Sequence, residues 1–402
     1  MTAPNPSIGR IYLDNAATSW PKSPQVLASV TDYLTHCGAT AGRGSYQSAV
    51  DAGRWLLDAR SNLARLLGAS QAHDIAICHS GTHALNAGLW GVLRPGDHVI
   101  TTSAEHNSVL RPLFHWQERM GLEVSIVQCD ASGTALADDA IGLIRANTKL
   151  IAIGHASNVT GKVQRLEPWS QLAHAHGLIL MVDASQTLGY LPLNVEQESI
   201  DILASAGHKG LRALTGTGLL YVSPKCQTNF MPLMLGGTGQ ASEQVQGLNP
   251  WPLSVEVGNL NMAGVVSLAV AARELLESPD GLSDAQGECH WKSRLQSFVM
   301  SLRAIDGLEI VGYSPPFEVQ DRIPVVSVRA DGWDVHDLAN ILDTAFGIEA
   351  RAGLHCAALI HQDLGDQHNQ GTLRFSMGHT TSAAAIAYTV DALRQILAEE
   401  AA

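Results

Sequence analysis

Between residues 75 and 223, apolar runs of strand length alternate with helix-length amphipathic segments, and this alternation leaves the chain few folds to choose from. The runs fall at 75–79, 98–102, 123–128, 149–154, 178–183, 201–205 and 218–223. The helices between them begin near Thr82, Ser108, Asp138 and Glu167. Leu178-Ile179-Leu180-Met181-Val182 is apolar at consecutive positions, which suits a strand covered on both faces. Strand and helix in alternation predict an α/β protein with a mostly parallel, doubly wound, seven-stranded sheet. Ligands of such sheets sit at the carboxyl ends of the strands.

Other elements flank this block. Residues 11–20 read as a short strand and turn, and a helix runs from Pro24 to about His36. A Gly-rich loop, Gly38 to Ser45, contains Arg43; a longer helix from about Ser48 to Leu67 stops at Gly68. A loop rich in Gly, Gln, Ser and Pro spans Met231 to Gly258, before a long helix from about Met262 to Glu277. A run of helix, strand, strand and helix follows, and Ala383–Glu399 closes the chain as a helix. The predicted division is a large lobe at 21–258 and a smaller α+β lobe at 259–402, with residues 1–20 packing on the smaller one. A chain of 402 residues can fill two such lobes.

Composition excludes several roles. The net charge is −13 with no basic run, which argues against nucleic acid and anionic membranes. No apolar run approaches the ~20 residues that span a bilayer. The opening Met1-Thr2-Ala3-Pro4-Asn5-Pro6 lacks the basic and apolar regions of a signal peptide, so the expectation is a soluble cytoplasmic protein. The six cysteines, Cys37, Cys78, Cys129, Cys226, Cys289 and Cys356, form no Cys-x-x-Cys pair, and each reads first as a small buried hydrophobe.

Several strands end in residues that can do chemistry. After 75–79 comes Ser80-Gly81-Thr82-His83, opening a helix whose N–H groups and hydroxyls can hold phosphate; a plain N-cap reads equally well. After 98–102 comes Glu105-His106-Asn107, where an imidazole could stack over an aromatic ring or move protons, or simply sit on the surface. After 149–154 comes Ser157-Asn158-Val159-Thr160-Gly161, in which Asn158 could donate to a phenolate oxygen or only shape a turn. Asp183-Ala184-Ser185-Gln186 ends 178–183. A carboxylate there needs a partner, because an unpaired buried charge is costly. A protonated pyridine nitrogen is one such partner, and a structural ion pair is another.

One strand later comes Ser205-Ala206-Gly207-His208-Lys209-Gly210. A lysine in a tight turn at a strand's end is the arrangement needed to anchor an aldehyde cofactor, and a desolvated ε-amine is nucleophilic. Lys22, Lys149, Lys225 and Lys292 fit poorly by position; Lys162, in the Asn158 loop, is the rival. Lys209 is therefore predicted to carry pyridoxal phosphate as a Schiff base, with His208 capping or orienting it.

These segments, with Tyr12-Leu13-Asp14-Asn15-Ala16-Ala17-Thr18, resemble the class V aminotransferases, which are fold-type I pyridoxal-phosphate enzymes. The resemblance covers roughly residues 11–395. Within that family the chain is most similar to the cysteine desulfurases and selenocysteine lyases. Arg351-Ala352-Gly353-Leu354-His355-Cys356-Ala357 matches the segment that carries their nucleophilic cysteine on a mobile loop. Gly371-Thr372-Leu373-Arg374-Phe375-Ser376 matches the one whose arginine holds the substrate α-carboxylate. The resemblance implies that L-cysteine becomes L-alanine while its sulfur passes to a persulfide on Cys356. A selenocysteine lyase or another class V C–S lyase is the alternative, and a non-catalytic cofactor-binding relative is the alternative of another class.

The resemblance also implies roles. Asp183 would pair with the pyridine nitrogen, Gln186 and Asn158 would contact the phenolate region, and His106 would stack on the ring. Thr82, His83, Ser205 and His208 would belong to the cofactor site, and Asn259 would reach the phosphate of a partner subunit. Asn15 and Arg43 would join Arg374 at the substrate. Arg351 and His355 are candidates for the charge that keeps the Cys356 thiolate available. A homodimer and a sulfur-acceptor protein are implied, with iron–sulfur assembly one destination. Four departures touch these contacts. Ala206 stands where a phosphate-binding Ser or Thr is usual, and Ala213-Leu214 where Gly-Pro is frequent. Arg43-Gly44-Ser45-Tyr46 replaces Arg-Gly-x-His, and Gly258-Asn259-Leu260-Asn261 replaces Gly-Thr-x-Asn. His355, Cys356, His361 and His368 lie close in sequence, but no metal-ligand spacing repeats, so no metal is expected.

Overall fold

The computed structural model describes residues 9–42, 44–239, 246–277, 290–366 and 370–400. After a two-residue strand, β1 (Ile11–Tyr12), the seven apolar runs become β2 (Ile75–Cys78), β3 (His98–Thr102), β4 (Glu123–Val127), β5 (Thr148–Gly154), β6 (Ile179–Asp183), β7 (Ile202–Ala206) and β8 (Gly218–Val222). They form one sheet in the order β2-β8-β7-β6-β5-β3-β4. Only β8 runs against the others, so the sheet is mostly parallel as expected.

Every residue of β2, β3, β7 and β8 is buried, because helices cover both faces. Each Val, Leu or Ile hidden this way contributes roughly 1.5–3 kcal/mol. The neighbours β3 and β5 mark the point where strand order reverses, with β4 beyond one and β6 beyond the other. Crossovers leave on opposite faces there, and a crevice opens at the carboxyl ends.

The predicted helix boundaries hold within a residue or two, and the reasons are local. Ser23 caps Pro24–His36 by accepting from the Val26 N–H, and Ser80 caps Gly81–Val92 by accepting from His83. Gln47–Leu67 ends at Gly68, whose φ of 63° lies in the left-handed region. The helix expected from Asp138 is a single turn, Asp138–Ile141. No helix among the described residues is long and apolar enough to cross a membrane.

The C-terminal part holds more strands than the two that periodicity suggests. They are β9 (Leu308–Ile310), β10 (Val325–Ala330), β11 (Ile348–Glu349), β12 (Arg351–Gly353) and β13 (Thr372–Ser376). A four-stranded antiparallel sheet has the order β12-β13-β10-β9, while β11 pairs in parallel with β1. Two- and three-residue strands are too short for an alternating pattern to register. Ile11 and Leu13 join the apolar cluster of this smaller sheet, beside Phe298 and Phe375. Helix Met262–Glu277 sits on the other side of the predicted boundary at 258/259. It is apolar nearly all round and packs between Pro24–His36 and Gln47–Leu67 in the core of the large sheet.

Candidate active site

The loops that follow β2, β3, β5, β6 and β7 open onto one cavity of about 220 Å³, and β12 and β13 reach it from the smaller sheet. Ten of the candidate residues singled out from sequence line it: Thr82, His106, Asn158, Asp183, Gln186, His208, Lys209, Arg351, His355 and Arg374. They lie up to 292 positions apart, between Thr82 and Arg374. The large sheet brings those from Thr82 to Lys209 to one edge, and the smaller sheet adds the rest.

Lys209 sits in a turn held by two backbone bonds, Arg212 N–H to Lys209 O (2.8 Å) and Ala213 N–H to Gly207 O (2.8 Å). Burial lowers its pKa, and the negative charge of Asp183 opposes that only in part. The neighbouring His208 carbonyl accepts from the Ser19 N–H (2.9 Å), the Ser19 hydroxyl (3.0 Å) and Lys22 Nζ (3.1 Å). The N-terminal segment therefore braces the lysine turn. The rival Lys162 is turned to Asp321 at 3.7 Å and lies outside the cavity lining.

Asp183 ends β6 and accepts from the Ser185 N–H at 2.9 Å. Its register partner on β5 is Gly154, whose N–H donates to Glu105 Oε1 at 2.9 Å. The Thr102 hydroxyl donates to the same oxygen at 2.7 Å, while Glu105 Oε2 is buried without a partner. Burial raises the Glu105 pKa to about 8, and the charge on Asp183 adds to the rise. Glu105 is thus a neutral acid near pH 7, and Asp183 carries the negative charge at this end of the sheet.

His106 is fixed as a neutral ring. The Ser108 N–H donates to Nδ1 at 3.0 Å, so Nδ1 is an acceptor and the proton is on Nε2. Burial, with Lys209 nearby, lowers its pKa to about 4. The Ser108 hydroxyl lies 2.9 Å from Nδ1 and 2.8 Å from the Thr82 hydroxyl, joining two strand-end loops.

Arg351 on β12 and Arg374 on β13 are direct cross-strand partners, and both line the cavity. Like charges in register repel. Arg374, 1% exposed, offsets this with Asp14 Oδ1 at 2.6 Å and the Asn158 carbonyl at 3.2 Å, while its Nε is buried without a partner. Arg351 Nη2 donates to the Cys356 sulfur at 3.5 Å.

Cys356 is exposed and free. It occupies a tight turn closed by the Ala357 N–H to the Leu354 carbonyl (3.0 Å), and both central residues have positive φ, His355 at 52° and Cys356 at 59°. Type I′ turns need that conformation, which costs roughly 1–2 kcal/mol per side chain other than glycine. Two outside bonds hold the turn: Asn158 Nδ2 to the His355 carbonyl (2.6 Å) and the Asn107 N–H to the Cys356 carbonyl (2.7 Å). His355 is buried, donates from Nε2 to the Thr372 carbonyl (3.1 Å), and has its pKa lowered to about 2 by burial and Arg374. A neutral His355 adds no charge beside the sulfur, so among the two candidates only Arg351 supplies it.

Other sequence candidates lie elsewhere. Asn15 is buried, donates to the Ser376 carbonyl (3.0 Å) and does not line the cavity. His83 stacks on His79. The Ser205 hydroxyl faces backbone carbonyls, at 3.4 Å from that of Ala184. Asn259 is exposed and outside the lining. Arg43 and His368 lie outside the described residues. Sequence reasoning passed over Glu105 and Ser185 as site residues. The signal for both was position alone, since each follows a strand at the same edge.

The family model for aminotransferase class V matches residues 11–388. A probable cysteine desulfurase of Methanothermobacter thermautotrophicus is 30% identical over 389 residues, covering 96% of this chain and 94% of that protein. The apo structure of a cysteine desulfurase from Thermococcus onnurineus NA1 superposes with a TM-score of 0.86 at 27% identity, covering 96% of this chain and 94% of the other. The cysteine desulfurase CsdA of Escherichia coli gives a TM-score of 0.82 at 26% identity, covering 98% and 96%. Sheet order, strand-end chemistry and these matches agree: the chain belongs to the class V aminotransferase family.

Proposed function

We propose that this chain is a pyridoxal-phosphate-dependent cysteine desulfurase, which passes the sulfur of L-cysteine to Cys356 and releases L-alanine. The observation that carries the reading is the Arg351–Arg374 pair at the cavity of Lys209. Two guanidinium groups held in register suit a site for two anions, here a substrate carboxylate and a thiolate. Relatives named cysteine desulfurase support it.

The residues present fit the cofactor. Lys209 is a buried amine of lowered pKa, Asp183 is the charged carboxylate opposite, and His208 Nδ1 is buried without a partner. Lys209 would hold the aldehyde, Asp183 the ring nitrogen, Asn158 and Gln186 the ring oxygen, and the start of helix Gly81–Val92 the phosphate. His106 would cover one face of the ring. Bound there, pyridoxal phosphate supplies an electron sink that acidifies the α and β positions of an amino acid.

The chain's own groups do the rest. Arg374 binds the α-carboxylate with its fork. Lys209, with its amine poised by burial, takes and returns the proton at the substrate α-carbon. The Cys356 thiolate, beside Arg351, forms a bond to the substrate sulfur as the Cβ–S bond breaks. The bonding pair stays with the carbon skeleton, Cβ gains a proton, and the products are alanine and a Cys356 persulfide. Cys356 is exposed, so a separate acceptor protein can collect the sulfur. A homodimer is part of the same reading; exposed Leu27 and Leu34 on one helix and Val50 and Leu57 on the next offer apolar surface for it.

The test is to measure alanine and sulfide from L-cysteine with reductant present. The wild type should release both in equal amounts. Lys209→Ala should lose both activities and the absorbance band of the bound cofactor. Cys356→Ala should keep the band and lose sulfide; full turnover by that variant would overturn the reading.

A further inference from the structure

The helix Gly81–Val92 starts at the cavity, and its first N–H groups are the natural anion donors there. Two of them are already engaged, since the His83 N–H goes to Ser80 Oγ (3.0 Å) and the Ala84 N–H to the Ser80 carbonyl (3.0 Å). Gly81 and Thr82 keep their N–H groups without an intrahelical acceptor. A bound phosphate dianion has more acceptor sites than these two donors fill.

The end of β7 packs against this helix start, but it offers only a methyl group. The Ala206 Cβ lies 3.1 Å from the point a Cβ on Gly81 would occupy. The hydroxyl of Ser185, from the loop after β6, reaches the same place, with Oγ also 3.1 Å from that point. The Ala206 N–H donates to Ser185 Oγ at 3.3 Å. Ser185 is 6% exposed and lines the cavity. Its oxygen is used as an acceptor, while its proton has no acceptor among the described residues. Burying an unsatisfied hydroxyl donor is unfavourable, and an anion at the helix start would satisfy it.

Resting on the cofactor reading above, we propose that Ser185 donates to the cofactor phosphate, and so supplies from the β6 loop the hydroxyl that position 206 lacks. The contact has moved one strand along the sheet without leaving the helix start. Gly81 is part of the device, because a side chain there would press on both Ala206 and Ser185.

The experiment titrates the full-length apo-protein with pyridoxal phosphate and, separately, with pyridoxal, following the absorbance of the protein-bound aldehyde. Both form the same link to Lys209, but only one carries a phosphate. Ser185→Ala should weaken pyridoxal phosphate about tenfold or more, the effect of one hydrogen bond to a charged group, and leave pyridoxal unchanged. Adding Ala206→Ser to that variant should restore most of the loss. An unchanged affinity in Ser185→Ala would overturn the inference alone. Equal weakening of both ligands would overturn it too, showing a hydroxyl that only ties β6 to β7. No bound-cofactor band in the wild type would overturn the cofactor reading and this inference with it.

Discussion

Glu105→Gln tests the electrostatic arrangement around Asp183. The amide has the shape of the protonated carboxyl and keeps an oxygen to accept from Thr102 and Gly154. In the wild type the Glu105 pKa is raised from 4.5 to about 8. Between those values the folded protein keeps the proton and the unfolded chain releases it. Stability therefore falls as pH rises through this window, at about 1.4 kcal/mol per pH unit, or about 5 kcal/mol across it. Glutamine has no such slope, and the other titrating groups, shared by both proteins, cancel in the comparison. An unfolding entropy of about 2.1 cal/mol/K per residue gives about 0.8 kcal/mol/K for a chain of 402 residues. From pH 5 to pH 8, which covers about 4 kcal/mol of this window, the melting-temperature difference between Glu105→Gln and wild type should thus widen by about 4–5 °C in favour of the variant. Thermal scans of both proteins in matched buffers, at fixed cofactor saturation, measure it. A difference that stays flat, or moves against the variant as pH rises, would refute the claim that this carboxyl is held neutral.

Two further outcomes follow from the arginine pair. Arg351→Ala removes the donor 3.5 Å from the Cys356 sulfur, so iodoacetamide should alkylate Cys356 several-fold more slowly at pH 7; an unchanged rate would show that the guanidinium does not support the thiolate. Asp14→Asn leaves the buried Arg374 charge without its counter-ion, which should cost about 2 kcal/mol, or about 2–3 °C in melting temperature, and no loss would mean that the Asn158 carbonyl alone suffices.

Much of the site was legible because a parallel sheet is a simple addressing device. Apolar runs locate the strands, and all strands of one direction end at one edge, so Thr82, His106, Asn158, Asp183 and Lys209 could be grouped from their positions alone. The same logic does not reach the smaller sheet. There β11 and β12 have two and three residues, below the length at which alternation shows, and the cross-strand pairing of Arg351 with Arg374 depends on their register. Nor could spacing separate Lys162 from Lys209. The fold did so by turning Lys162 to Asp321. Ala206 read in isolation as a missing phosphate contact. Only the packing of the β6 loop against the end of β7 revealed a hydroxyl beside it.

What the sequence determines by itself is the set of local choices: strand periodicity, helix caps at Ser23 and Ser80, the left-handed stop at Gly68, and a lysine in a strand-end turn. These depend on neighbours a few positions away, so pattern suffices. The tertiary structure decides protonation and charge. Glu105 becomes a neutral acid because β3 and β5 enclose it, His355 loses its charge because β13 and Arg374 surround it, and Arg374 gains a counter-ion from the far end of the chain. Desolvation and Coulomb interaction depend on distance in space, which positions along a chain do not specify.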